Sequence, residues 1–363
     1  MSKETYIYYS GATDITGKKL QEALSITGGK TKPTNKKLVI GWGTKIDKDT
    51  AFPPDVHVLN HPNNIRANRN KFKALTAMMG AKVNVAPFVT AETVISSIGN
   101  KKGVNLPLVG RTNFHQGGKG FWLCITNSMV DNAIREGAQY FQEFIDIKDE
   151  YRLHVFSGDL LYGQKKVKRT NMEEAFVEQN AEKIESMAGK NNKSLDKDTM
   201  SYTLGRLAKN QSSPDMIIRS NTRGWKFSHI TKVSNELVNE AAKALEAVGL
   251  DFGAVDCCVD TDGKVWILEI NSGPGLKETP FTAYVDRFKK AMTELLAPPK
   301  PASTKTVAAQ SSTPPIAKSP ASSDNRSITR VKDKLSVMNK MAEMATEDEA
   351  KSLESLFDRM FDK

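Results

Sequence analysis

The chain has 363 residues, 39% of them hydrophobic, and 52 Lys and Arg against 42 Asp and Glu give a net charge of +10. That length accommodates two or three subdomains and a tail, and no apolar run reaches the roughly 18 residues that a membrane span needs. The basic balance suits an anionic partner, whether nucleotide, acidic substrate or nucleic acid, without choosing among them. The N-terminal Met-Ser-Lys-Glu-Thr-Tyr lacks an apolar signal-peptide core. Cys124, Cys257 and Cys258 form an odd set without metal-ligand spacing. A cytoplasmic protein with reduced thiols is the expectation, and adjacent Cys257 and Cys258, on opposite faces of a strand, read as packing residues.

Residues 1–60 read as a small α/β unit: a strand over 6–9, a turn over 11–14, a helix over 18–24 and a strand over 38–42. Gly28-Gly29-Lys30-Thr31 is not a P-loop, because position 24, where that motif requires glycine, is Leu24. A helix over 66–79 ends at Gly80, and Pro87 follows in an extended segment. A strand over 106–111 leads through Gly117-Gly118-Lys119-Gly120 into a second strand over 121–125. A Gly-rich hairpin lets backbone N–H groups approach phosphate oxygens, and Lys119 adds positive charge. It is not a Walker loop, since neither the preceding Gly nor the following Ser or Thr is present. His115 reads as a loop residue rather than a catalytic base.

Strands over 151–156 and 160–166 flank a turn at Gly158-Asp159. Residues 170–214 are polar, with helices over 172–187 and 199–209, and read either as an overhang that selects substrate or as a solvated excursion. A strand over 217–227 carries Arg219, Asn221 and Arg223. Ser234 caps a helix reaching Val248, with Leu237, Ala241, Leu245 and Val248 on one stripe and Gly249 as its stop.

The apolar runs 254–259 and 265–270 flank Asp262-Gly263, a strong signal for a two-residue hairpin. That turn pairs Thr261 with Lys264 and sets Asp256 opposite Glu269, with Asn271 on the same face. Facing acids repel. A divalent cation resolves the conflict, and hard carboxylate and amide oxygens suit Mg²⁺, or acids on a wet face need no ion at all. Relief of repulsion predicts that Asp256→Asn or Glu269→Gln leaves thermal stability unchanged or higher. Asp251-Phe252-Gly253 is not the protein-kinase metal motif, because no His-Arg-Asp precedes it.

Gly-Leu-Asp-Phe-Gly-Ala-Val-Asp (249–256) followed by Leu-Glu-Ile-Asn-Ser-Gly-Pro-Gly-Leu (268–276) resembles the metal-binding end of the ATP-grasp superfamily, which includes D-alanine–D-alanine ligase, glutathione synthetase and biotin carboxylase. The resemblance implies a mixed α/β (α+β) fold clasping ATP, with Mg²⁺ (or Mn²⁺) held by Asp256, Glu269 and Asn271. It implies phosphate contacts from Lys71, from Arg111 where the family usually has Lys, and from the lid Gly117, Gly118, Lys119 and Gly120. It places adenine at Glu143, Phe144 and Ile145 and the ribose at Glu150. Arg152, Lys165 and Lys166 face phosphate or a substrate carboxylate, alternation leaving open which lysine points inward. Arg219 and Arg223, with Arg152, serve the transferred phosphoryl group. The N-terminal unit often binds the acceptor substrate, and none of its residues stands out for assignment.

The layout that follows is an N-terminal α/β subdomain (1–60), a small ATP-grasp subdomain with the lid (61–140), a large one with the metal hairpin and the polar insertion 170–214 (141–297), a proline-rich linker (298–326) and a helical tail (327–363). The linker is too polar to order itself. The tail's apolar stripes, including Met338, Met341, Phe357 and Phe361, suit a protein partner or self-association. The implied activity is ADP-forming ligation of a carboxylate to an amine or thiol through an acyl phosphate. The alternatives are an ATP-dependent phosphotransferase and a non-catalytic ATP-binding protein acting through its tail.

Overall fold

The apolar runs of the sequence become three sheets. The computed structural model describes residues 2–11, 14–44, 49–115, 120–169, 217–219 and 224–297, all within one unit, Met1–Ala297. The expected helices of 170–214, the linker, the tail, and Gly117, Gly118, Lys119, Asn221 and Arg223 lie outside the described residues.

The first sheet is parallel, in the order β2-β1-β3-β4, from β1 (Thr5–Tyr9), β2 (Thr27–Gly29), β3 (Leu38–Trp42) and β4 (His57–Leu59). Helix α1 (Ile15–Ala23) begins earlier than predicted because Asp14 caps it, its carboxylate accepting from the Gly17 amide at 2.9 Å. The helix expected over 66–79 is two helices, α2 (Pro62–Arg69) and α3 (Lys71–Gly80). Asn70 breaks them: its backbone is extended and its side chain accepts from the Lys73 amide at 3.0 Å, an N-cap inside the periodic run.

The second sheet is antiparallel, ordered β5-β8-β6-β7, from β5 (Phe88–Thr90), β6 (Leu108–Arg111), β7 (Phe121–Cys124) and β8 (Tyr140–Glu143). With α4 (Val94–Ser97) and α5 (Asn127–Arg135) it buries a separate core that includes Val94, Leu108, Cys124, Val130 and Phe141.

The third sheet carries most of the chemistry. It is antiparallel, ordered β11-β10-β9-β12-β13, from β9 (Ile147–Phe156), β10 (Asp159–Lys168), β11 (Trp225–Ile230), β12 (Phe252–Asp260) and β13 (Val265–Asn271). β9 and β10 turn at Ser157-Gly158, one position before the predicted turn, because both residues take the positive φ (48° and 88°) of a tight hairpin. One face presents Leu153, Val155, Val255 and Cys257 to Leu237, Ala241, Ala244 and Leu245 of α6 (Asn235–Ala247), which Ser234 caps. The other face carries Glu150, Arg152 and His154, and Cys258 pairs across from Glu150. All three cysteines are free and buried.

Helix α7 (Glu278–Leu295), which no capping signal announced, binds the first sheet to the third. Its Tyr284 and Phe288 pack with Trp42, Phe156 and Phe252, Trp42 stacking on Phe252 at 5.7 Å. Asn60 sews the same seam, accepting from the Asp251 and Phe252 amides (2.7 and 3.1 Å) and donating to the Phe252 carbonyl (2.8 Å). Gly43, after β3 at φ 54°, meets Gly273, after β13, backbone to backbone. A Cβ on Gly43 would lie 3.3 Å from the Gly273 Cα, and one on Gly273 only 2.7 Å from the Gly43 Cα. The whole is a mixed α+β fold.

Candidate active site

The hairpin of β12 and β13 is built differently from the two-residue turn that the sequence suggests. Asp260 organises a three-residue loop, Thr261-Asp262-Gly263. Its Oδ1 accepts from the Asp262 and Lys264 amides (3.0 and 2.8 Å), and its Oδ2 from the Trp266 indole N–H at 2.7 Å. Val259 consequently pairs with Val265, one position off the predicted register. A bulge next to Asp256 then absorbs Leu268, and Asp256 does lie opposite Glu269. Two departures from the simple hairpin cancel where it matters.

Arg152 on β9 lies directly opposite Asp256 on β12 and forks onto its carboxylate, Nε to Oδ1 at 2.6 Å and Nη2 to Oδ2 at 2.7 Å. The guanidinium also covers the Phe227 ring at 4.3 Å. Asn271 donates from Nδ2 to Glu269 Oε1 (3.2 Å) and Asp256 Oδ2 (3.4 Å). Lys71, the first residue of α3, places its ammonium 3.5 Å from Glu269 Oε2 and 3.4 Å from the Ile270 carbonyl. Burial pushes the Glu269 carboxyl up, but Lys71, the Asn271 amide and Arg152 outweigh it and hold it down to about 2. The two facing acids are therefore matched by two cations. This corrects the expectation that neutralising Asp256 relieves repulsion, because Asp256→Asn would instead leave Arg152 without its counter-ion.

Two carboxylates and an amide oxygen on one patch are hard ligands, and they fit Mg²⁺ chemically. Among the described residues no group of three or more His, Cys, Asp or Glu side chains gathers for a metal. A cation here would take its third protein donor from Asn271 and the rest from a bound ligand.

Arg111 ends β6 on the facing wall. Its Nη2 contacts His115 Nδ1, and His115 Nε2 lies 3.2 Å from the Tyr140 hydroxyl. Arginine only donates, so Nδ1 accepts and the imidazole is neutral. Burial, then the Arg111 charge, hold its pKa down to about 4. Arg111 Nε is buried with no hydrogen-bond partner among the described residues, and burial lowers the guanidinium pKa. His115 thus belongs to the cleft lining. The sequence hid this, since Tyr140 is 25 residues away.

Glu143, Phe144 and Ile145 also line the space. The Glu143 carboxylate is taken by Asn105 (2.8 and 2.7 Å), while the Glu143 and Phe144 amides donate to the Pro87 and Pro107 carbonyls. Glu150 is 6% exposed and pairs with Lys166. Burial raises its carboxyl pKa and Lys166 opposes the rise. Lys165 bonds Asp149 at 2.7 Å and is not among the lining residues, whereas Lys166 is. Arg219 also lines the cleft, donating to the Ile147 carbonyl and covering the Trp225 ring at 4.8 Å. Gly120 stands at φ 56° at the start of β7.

Lys71, Arg111, Arg152, Lys166, Asp256, Glu269 and Asn271 line one cavity of about 1620 Å³, which also reaches Gly43, Gly273, Ser10, Asp14 and Lys19. One small ligand fills about 300–1,000 Å³, so there is room for a second.

No protein-family model matches the chain, and no curated protein matches it. Among solved structures it is similar to the ATP-grasp ligase PsnB complexed with a minimal precursor (11% identity, 81% of this chain and 99% of that chain covered, TM-score 0.47). It is similar to N5-carboxyaminoimidazole synthetase from Staphylococcus aureus complexed with ADP (11%, 75% and 70%, 0.46). It is also similar to D-alanine–D-alanine ligase from Bacillus anthracis (10%, 82% and 95%, 0.48). Each likeness is one of fold.

Proposed function

We propose that the protein is an ATP-dependent ligase of the ATP-grasp type, activating a carboxylate as an acyl phosphate for attack by an amine or thiol and releasing ADP and phosphate. The observation that carries this reading is the patch of Asp256, Glu269 and Asn271 set among Lys71, Arg111, Arg152 and Lys166 in one cleft large enough for two substrates. Phosphoryl transfer needs positioning and charge neutralisation more than a side-chain nucleophile.

Adenine lies against Glu143, Phe144 and Ile145. Lys71, Arg111 and Lys166 neutralise the phosphates, and Gly117, Gly118, Lys119 and Gly120 are the further candidates for phosphate contact. Asp256, Glu269 and Asn271 hold Mg²⁺, or Mn²⁺ in its place, which when bound offsets phosphate charge. Arg219, Arg223 and Arg152 steady the migrating group. A substrate carboxylate oxygen forms a bond to the γ-phosphorus as the bond to the β-bridging oxygen breaks, and ADP leaves. The acceptor then attacks the acyl carbon, the carbon–oxygen bond to phosphate breaks, and the acceptor's proton passes to water. Glu150, paired with Lys166 and lining the same cleft, is the candidate for the ribose hydroxyls.

ADP release assayed with a panel of carboxylic acids, with and without amines and thiols, tests the proposal. Release that needs both substrates supports it. Release with an alcohol phosphorylated instead supports the phosphotransferase, and nucleotide binding without turnover supports a binding protein. Among the described residues no helix is long and apolar enough to cross a membrane. On the three free, buried thiols we place the activity in the cytoplasm. A chain ending at Ala297 should keep turnover and lose a partner or a self-association carried by 327–363. A folded but inactive truncation would put the tail in the site.

A further inference from the structure

The cation patch carries its own counter-ions. Asp256 and Glu269 bring two negative charges, and Arg152 and Lys71 bring two positive ones. The Arg152 fork takes both Asp256 oxygens, and Asn271 presents its N–H, not its oxygen, to both carboxylates. A divalent cation approaching this arrangement meets a neutral cluster whose oxygens already accept hydrogen bonds, so by itself it gains little. Nucleotide phosphates change the balance. They are the stronger partners for a planar guanidinium and an ammonium, and Arg111 and Lys166 already border the same space.

We infer that Arg152 and Lys71 are exchangeable counter-ions of the Asp256–Glu269 patch: bound phosphate draws them off the carboxylates, and the divalent cation takes their place. Binding of cation and nucleotide is then coupled through these two side chains, each ligand preparing the site for the other. The inference rests on the ligase reading above. It adds that the protein resists free cations and loads metal with nucleotide. Arg152 has two roles in sequence, guarding Asp256 before loading and facing phosphate afterwards. The Phe227 ring lies under two cations, Arg152 at 4.3 Å and Lys166 at 5.1 Å from its centre. The guanidinium can therefore leave Asp256 while keeping its aromatic support.

The test is Mn²⁺ binding followed by electron paramagnetic resonance, with and without ADP, corrected for Mn²⁺ held by ADP in solution. Wild-type protein should bind Mn²⁺ at least about tenfold more tightly with ADP present, a coupling of ordinary size. Arg152→Met should bind Mn²⁺ about tenfold more tightly than wild type without nucleotide, and its gain on adding ADP should shrink to a few-fold. Lys71→Met, which leaves the Asp256 fork intact, should shift in the same direction by less, and it serves if Arg152→Met fails to fold. Weaker or unchanged Mn²⁺ binding in the folded variants overturns the inference, because Arg152 would then be a support that positions Asp256. Equal Mn²⁺ affinity with and without ADP in wild type also overturns it while leaving the ligase reading standing. No Mn²⁺ binding even with ADP overturns both.

Discussion

Strand β9 shows two opposite ways of filling a buried surface. On one side Leu153 and Val155 sit at 0% exposure among apolar neighbours from α6 and β12. On the other, Glu150 and Arg152 are matched to Lys166 and Asp256, and His154 to both Gln164 and Tyr284. The apolar side is specified by volume, so any residue of suitable shape serves. The polar side is specified by partners, and losing one leaves the other buried and unpaired. A fold can spend hydrophobic pattern freely, but each buried charge it keeps must be answered by a particular residue elsewhere in the chain.

The strongest way to break this contrast is at the patch. Asp256→Asn and Glu269→Gln should each abolish ADP release, and Asp256→Asn should also cost on the order of 3 kcal/mol of stability by stranding Arg152. A urea midpoint unchanged in Asp256→Asn would mean that the fork contributes nothing. Leu153→Ala, on the opposite side of the same strand, should cost a similar ~3 kcal/mol through its cavity, yet leave turnover per folded molecule near wild type. Loss of turnover there would show that the two faces are not independent. On the facing wall, Arg111→Ala should weaken nucleotide binding or turnover about tenfold, about 1.4 kcal/mol. Arg111→Lys should recover part of it, as a point charge replaces a fork. Wild-type titration curves for the alanine variant would move the phosphate contact elsewhere.

The smallest effect concerns His154. Burial, then the charge of Arg152, hold its pKa down to about 4 from an ordinary 6.5. It stays neutral in the folded protein while the unfolded chain takes up a proton. Its share of stability is present above pH 6.5 and is lost as the pH falls through 4. His154→Gln should flatten the fall in urea midpoint between those values, leaving the part due to His115. An unchanged slope would exclude His154 as a source.

The acid hairpin was legible because Asp262-Gly263 and the positions of Asp256, Glu269 and Asn271 lie within one short stretch. Its bulge left a trace that simple alternation overlooks: buried Val265, Ile267 and Ile270 are spaced by two and then three. The α2–α3 break was likewise written in Asn70, a capping residue read as part of a periodic run. What could not be read is what arises only on folding. Arg152 and Asp256 are 104 residues apart, and nothing local to either says that one will cover the other. Helix α7 has a clear buried stripe at Tyr284, Val285, Phe288, Ala291 and Met292, but no side-chain cap marks its start at Lys277.

The meeting of Gly43 and Gly273 has a consequence for reach. Two main chains touching without side chains make a gauge block: the end of the first sheet and the end of the hairpin meet with no room for a Cβ on Gly273. Any molecule that bridges Lys19 and Glu269 is measured against that contact. Alanine at position 43 and alanine at position 273 are then shims of different thickness, the second the thicker. Neither position carries a side chain of its own, so each change acts on the spacing of the two main chains alone.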